Sequence, residues 1–288
     1  MRKFWICEIK MKVLILGTGQ DAGVPQIGCL CSNCQQSRIN PSYIRLGPSI
    51  ALLDKTESYC YIIDASPDIK QQIEIIRKEI TSTKRNGALP ISGIFLTHAH
   101  YGHCSGLWEL GKECISERDL PVYCTVKMKS FLENNHPFNH LILDNNIIPK
   151  SQKIGEEKSI RDFKISSFEV PHRNEYTDTV GYIINRKKSL VYLPDLDFWT
   201  DEIIEIISEA DIALIDGCFY SKNELPRRSL VPHPPIIESL ELLRDTDTEI
   251  YFTHLNHTNK VLFEKSKERK ETEKKGFKIA YDGLIIEI

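Results

Sequence analysis

The chain has 288 residues, of which 37 are Lys or Arg and 40 are Asp or Glu, for a formal charge of −3; 41% are hydrophobic and 27% charged. That balance describes an ordinary soluble chain long enough to bury a full core, and it excludes a disordered or fibrous protein. The near-neutral charge gives no general pull toward nucleic acid or anionic membrane, and no apolar run approaches the roughly 20 residues that cross a bilayer.

The opening MRKFWICEIK carries basic charge but no long apolar region or small-residue cleavage site, so a cytoplasmic protein is expected rather than a secreted one. A clean restart at Met11 marks residues 1–10 as an N-terminal extension and 11–288 as one domain. KVLILG (12–17) reads as a buried strand, followed by a long loop through Gly47; loops of that length inside compact domains are usually functional. Strands are expected at 49–54 and 59–64, joined by a turn at Thr56 to Ser58. After Pro67, Ile69, Ile73, Ile76 and Ile80 fall near helical spacing, giving an amphipathic helix entered at Ser66.

GIFLT (93–97) is a short buried strand that runs directly into histidines. The pattern then predicts a helix near 105–115, a strand PVYCTV, a helix near 126–134, and strands across 139–193 with turns at Asn145-Asn146 and Asn185 to Lys188. The last third alternates: helix near 200–208, strand 212–216, helix near 235–244, strand 249–253, helix near 260–275, then KIAYD and LIIEI as paired strands. Strands in both halves with helices between them predict an α/β layered domain. The mixed-sign run 264–275 reads as a solvated helix face.

Nine cysteines, an odd number scattered along the chain, do not form a secreted disulfide framework. Cys29, Cys31 and Cys34 stand apart in GCLCSNC, where three thiols can turn onto one ion; such spacing suits tetrahedral zinc, the plain alternative being three metal-free thiols in a reducing loop. Cys60, Cys124, Cys7, Cys114 and Cys218 read as small hydrophobes, and Cys104 as a buried thiol at a helix start.

The histidines fall mostly in polar clusters that follow apolar strands. In THAHYGHCSGL, His98 and His100 point the same way along an extended backbone, and His103 rejoins them if the chain curls into the next helix. This run resembles the HxHxDH signature of the metallo-β-lactamase superfamily, an αββα sandwich whose two-metal site lies at the ends of the inner strands. The rest of that pattern matches in order: Asp64 in YIIDASPD, which would orient a ligand histidine, His172 in FEVPHRNEYTDTVGY, a bridging Asp195 in VYLPDLD, and His254 in YFTHLNH. GTGQDAGVPQIGCLCSNC, DGCFY, THLNHTN and AYDGLIIEI resemble the PqqB branch, named for pyrroloquinoline quinone biosynthesis, and the first is similar to the PhnP phosphodiesterase branch. In those branches the cysteine loop holds a structural zinc, and the resemblance assigns its fourth ligand to His257.

The resemblance implies a first metal on His98, His100 and His172, and a second on His103, His254 and the bridging Asp195. One position departs. Gly102 stands where the signature has an aspartate, so a weaker or different second metal is expected. Zinc is the first expectation at the active site, with iron or manganese as alternatives. Asp195 is the expected proton acceptor for an activated water, and His233 in VPHPP a leaving-group acid. Arg173 reads as a contact to an anionic substrate or as a surface ion pair, and Tyr101 is expected to point away from His100.

Three functional classes follow: a hydrolase of a phosphodiester or related ester, an iron-dependent oxidative step in quinone cofactor biosynthesis, and a metal-binding protein without catalysis. The expected partner is a small-molecule or small peptide-like substrate, with no nucleic acid and no membrane, and with a homodimer left open.

Overall fold

The central strands of this chain are buried on both faces, and the architecture follows from where those faces go. The computed structural model describes residues 11–54, 59–80, 89–224 and 232–288. The N-terminal extension and the turn at Thr56 to Ser58 lie outside them. One seven-stranded sheet contains β1 (Lys12–Gly17), β2 (Ser49–Leu53), β3 (Cys60–Ile63), β4 (Gly93–Phe95), β5 (Leu120–Cys124) and β6 (Ile147–Ser151) in chain order, with β14 (Ile285–Glu287) on the outer side of β1. The second contains β7 (Lys158–Ile160), β8 (Phe163–Glu169), β9 (Val180–Asn185), β10 (Ser189–Leu193), β11 (Ile212–Asp216), β12 (Glu249–Thr253) and β13 (Lys278–Ile279), also in chain order.

Alternation sorts the side chains into three layers. Val13, Ile15, Ile50, Leu52 and Ile63 meet Ile165, Tyr182, Ile184 and Leu214 between the sheets. On the outer face of the first sheet, Leu14, Leu16, Ile62 and Ile94 pack under Ile69, Ile73 and Ile76 of α2 (Ile69–Glu79), and under Met128 and Leu132 of α4 (Val126–Asn134). On the outer face of the second, Val191, Leu193, Ala213 and Ile215 pack under α6 (Asp201–Ser208) and α7 (Ile236–Leu242). The result is the αββα sandwich that the sequence motifs imply. Full burial of each such side chain is worth about 1.5–3 kcal/mol, which lets the scaffold carry costly polar groups at its rim.

Several elements differ from the sequence reading. The long loop before Gly47 contains α1 (Ser32–Ile39), whose buried residues are Asn33, Cys34 and Ser37, so it shows no apolar stripe to read. The helix expected near 105–115 is α3 (Tyr101–Cys104) followed by a 3-10 segment, Ser105–Leu110. Gly106 sets that geometry, since a Cβ there would lie 2.1 Å from the Ser66 carbonyl oxygen. Residues 139–143, expected as strand, lie in α5 (Phe138–Leu143), which buries only Leu141. The helix after Ser66 starts at Ile69 with Asp68 as its cap residue, and the 260–275 run divides into a 3-10 turn and α8 (Lys267–Lys274).

KIAYD and LIIEI are not paired: β13 joins β12 and β14 joins β1, because the turn at Asp282-Gly283 crosses from one sheet to the other. Among the described residues no helix is long and apolar enough to cross a membrane.

Candidate metal centre

Strand direction gathers the polar residues. β10, β11 and β12 run parallel, with Leu193 opposite Ile215 and Asp216 opposite Thr253, so Asp195, Asp216 and His254 emerge at one level. β8 shares that direction through two antiparallel steps, which brings His172 to the same rim. In the first sheet β3 and β4 are parallel, with Ile63 opposite Phe95, and they deliver Asp64 and His98. The two rims are tied where Val180 N–H donates to the Thr97 carbonyl (3.1 Å) and Tyr182 O–H to the Leu96 carbonyl (2.8 Å). Carboxyl ends of parallel strands are the usual seat of chemistry in α/β sheets. Two of these strand-end residues, Asp64 and His254, hold left-handed backbone angles (φ 66° and 55°), a strain that concentrates at functional sites.

The ring nitrogens face one another in pairs that no protein hydrogen bond requires. His100 Nδ1 lies 2.9 Å from His98 Nε2 and 3.1 Å from His172 Nε2, and the three form one candidate ion-binding group. Asp195 Oδ1 is 3.7 Å from His172 Nε2, while its Oδ2 is 3.6 Å from His98 Nε2, 2.7 Å from His103 Nε2 and 3.5 Å from His254 Nε2. The carboxylate therefore stands between the two ligand sets read from the sequence. Apart from the 2.7 Å contact of His103 Nε2 with Asp195 Oδ2, these two atoms and both nitrogens of His254 are buried without a hydrogen-bond partner among the described residues. Each such atom costs roughly 1–3 kcal/mol, and their convergence fits a divalent cation, which would satisfy them together.

The opposite edge of the rings is fixed. His103 Nδ1 donates to Asp64 (2.7 Å), His172 Nδ1 to Asp197 (2.7 Å), His100 Nε2 to Glu175 (3.1 Å) and His98 Nδ1 to the Thr97 hydroxyl (2.9 Å). For His98, His100 and His172 this leaves the inward nitrogen with its lone pair, the arrangement by which outer partners set the tautomer of a ligand histidine; for His103 burial works against charge, yet Asp64 and Asp195 raise its pKa well above the usual imidazole value. Burial holds His98 and His254 well below the usual imidazole range, so both stay neutral and ready to ligate. For Asp195 burial favours the neutral acid, but His254, His172 and His103 outweigh it and hold the carboxyl well below its ordinary value.

His233, just after the undescribed residues 225–231, is well placed. It is buried, its Nδ1 donates to Asp216 (2.6 Å), and its ring centroid is 5.8 Å from that of His172 and 5.7 Å from that of His254. Burial works against its charge, yet Asp216 and Asp195 raise its pKa above the usual value. Arg173 is half-buried beside these rings, and its Nε has no hydrogen-bond partner among the described residues. Tyr101 is 62% exposed and Cys104 is buried with its thiol pushed up to about 12, in keeping with the bland reading of both.

A second group lies apart. The thiol sulfurs of Cys29, Cys31 and Cys34 are each 3.5 Å from His257 Nδ1. Tetrahedral zinc with bonds of about 2.3 Å to sulfur and 2.0–2.1 Å to nitrogen puts sulfur and nitrogen about 3.6 Å apart, so three equal edges of this length fit one ion. His254 and His257 thus face different groups across three positions of one turn.

Four residues near the active rings had no assigned role in the sequence reading: Asp197, Glu175, Asp216 and Asp21. Asp197 and Glu175 lie close in sequence to Asp195 and His172, and Asp216 ends a strand, so a search for outer partners reaches them. Asp21 groups with His103 and His254, their ligand atoms within 4.8 Å of one another. No spacing rule connects it to them.

Comparison with known proteins places the chain in a family. Residues 59–255 match the Beta-lactamase superfamily domain. Coenzyme PQQ synthesis protein B of Methylorubrum extorquens is 28% identical over 96% of this chain and 100% of its own length. The fold is similar to that of a Zn(2+)-bound PqqB from Methylobacterium extorquens, with a TM-score of 0.83, 26% identity and coverage of 96% and 100%. It is also similar to a diphosphatase from the PhnP family, with a TM-score of 0.72, 24% identity and 97% of both chains covered.

Proposed function

We propose, for a chain that belongs to the beta-lactamase superfamily, that the strand-end centre is a metal-dependent hydrolytic site for a small phosphodiester or related ester. The observation that supports this reading most is the position of Asp195 within reach of both imidazole sets, with Oδ1 toward His172 and Oδ2 toward His98, His103 and His254. When bound there, a divalent ion would lower the pKa of a water and offset negative charge on the substrate. His98, His100 and His172 would hold one position, and His103, His254 and Asp195 the other.

Asp195 acts chiefly as the anionic bridge: a carboxyl held so far below its ordinary range is a weak base. His233, oriented by Asp216, has the geometry of a proton donor to the leaving group. Arg173, with an unsatisfied Nε next to His100 and His233, fits an anionic substrate oxygen. Zinc is the proposed metal here and in the cysteine group.

A second reading takes the same ligands as an iron site for an oxidative step in quinone cofactor biosynthesis, since imidazole and carboxylate sets also suit non-haem iron. It is favoured by the likeness to Coenzyme PQQ synthesis protein B, which runs through 96% of the chain.

One experiment separates the two: metal analysis of protein purified without added metal, with turnover of a nitrophenyl phosphodiester and oxygen uptake measured in parallel. Zinc together with hydrolysis that is lost in His98→Ala is the expected result. Iron with oxygen consumption would transfer the assignment to the oxidative reading, and silence with zinc, iron and manganese would leave a metal-binding protein without catalysis.

A further inference from the structure

The signature carboxylate missing at residue 102 leaves the second ligand set one negative charge short, yet the space it would fill is not empty. A Cβ built on Gly102 would lie 2.4 Å from the Cα and 2.5 Å from the Oδ1 of Asp21. The carboxylate of Asp21 therefore occupies the volume that a side chain at 102 would take, and a ligand oxygen of Asp21 lies within 4.8 Å of ligand nitrogens of both His103 and His254. The geometry points to Asp21 as the anionic ligand of the second metal position, supplied from a distant loop in place of the carboxylate that Gly102 lacks.

The loop is built to hold it. Leu255 N–H donates to the Thr18 carbonyl (2.7 Å) and Gln20 N–H to the Leu255 carbonyl (3.0 Å), so the chain on either side of His254 is zipped to the residues just before Asp21. Gly23 N–H closes the turn onto the Gln20 carbonyl (2.7 Å), and the Asn256 amide donates to the Gln20 side chain. Asp21 itself has φ 29°, outside the regions that side-chain-bearing residues favour. A second observation points to a ligand at the same place: neither nitrogen of His254, 1% exposed, has a hydrogen-bond partner among the described residues. Neutral imidazoles alone bind a divalent ion less strongly than a set containing an anion, and Asp21 restores that charge.

This assignment rests on the metal-centre reading above, and zinc binding to the full chain tests both. Zinc per chain and affinity are measured for wild type, Cys31→Ser, His98→Ala, Asp21→Asn and Asp21→Glu. Asp21→Asn keeps the shape and removes the charge. It is expected to lose one zinc per chain, or to bind it weaker by at least the roughly 10–100-fold that even an outer partner controls, while the cysteine-site zinc is retained. Asp21→Glu keeps the charge on a longer arm and is expected to bind that zinc more tightly than Asp21→Asn, an order that a merely structural role, for which the isosteric amide is the smaller change, would reverse. Wild-type zinc content and affinity in Asp21→Asn, with His98→Ala still losing zinc, would overturn the role of Asp21 alone. If Cys31→Ser removed all zinc from the chain, the histidine centre and the role of Asp21 would fall together.

Discussion

At the residue scale, a ligand histidine is only as good as the group behind it. Asp64 accepts three bonds at once, from Thr97 N–H (2.8 Å), the Thr97 hydroxyl (2.9 Å) and His103 Nδ1 (2.7 Å), and is fully buried in doing so. Asp64→Asn would set an amide N–H against one of these donors and leave His103 free to change tautomer. Metal affinity at the second position should fall about 10–100-fold in a competition titration against a chromophoric chelator; wild-type affinity would count against Asp64 as the group that orients His103. This residue was legible because it ends an apolar strand. The bond it makes was not, because His103 reaches it only after the chain turns through α3.

At the scale of elements, the cysteine group joins α1 to the turn after β12. Cys31 caps the helix, Cys34 lies on it, and His257 comes from 223 positions further along than Cys34. An ion shared by such distant segments removes a large closed loop from the freedom of the unfolded chain, so its binding energy becomes folding energy. Burial pushes the Cys34 thiol up to about 12, so an ion bound there would have to displace that proton. Cys31→Ser should lower the melting temperature and remove one zinc per chain while leaving His98, His100 and His172 loaded. An unchanged melting curve with unchanged zinc would contradict a structural site. The spacing of the three thiols was plain in the sequence; the helix that carries Cys34 was not, since its buried face is polar.

At the scale of the whole molecule, closure depends on Asp282, which lies in the turn that carries the chain from the second sheet to the first. Its buried carboxylate accepts from Thr18 N–H (2.9 Å), the Thr18 hydroxyl (2.6 Å) and Leu46 N–H (2.7 Å), pinning the loops that lead to Asp21 and to β2. Burial raises its pKa to about 6, with Arg45 offsetting part of the effect. The folded protein therefore holds this proton up to about pH 6, while the unfolded chain releases it near the ordinary carboxylate value. Stability from this residue is present below about pH 4 and declines as pH rises to about 6, by on the order of 3 kcal/mol. The difference in stability between wild type and Asp282→Asn, followed from pH 4 to 7, cancels the imidazole contributions and should slope in that direction. A flat difference would show that the carboxyl titrates normally.

The amino-acid sequence alone determined the layered fold and the order of the histidine motifs, because an apolar run followed by a polar strand end is a pattern written within a few residues. Only the tertiary structure decided which of those groups share a centre, that the last two strands belong to different sheets, and that Asp21 stands in the space beside Gly102. Those are matters of volume and direction between segments far apart in the chain, and periodicity carries no record of which side chain fills the gap another leaves.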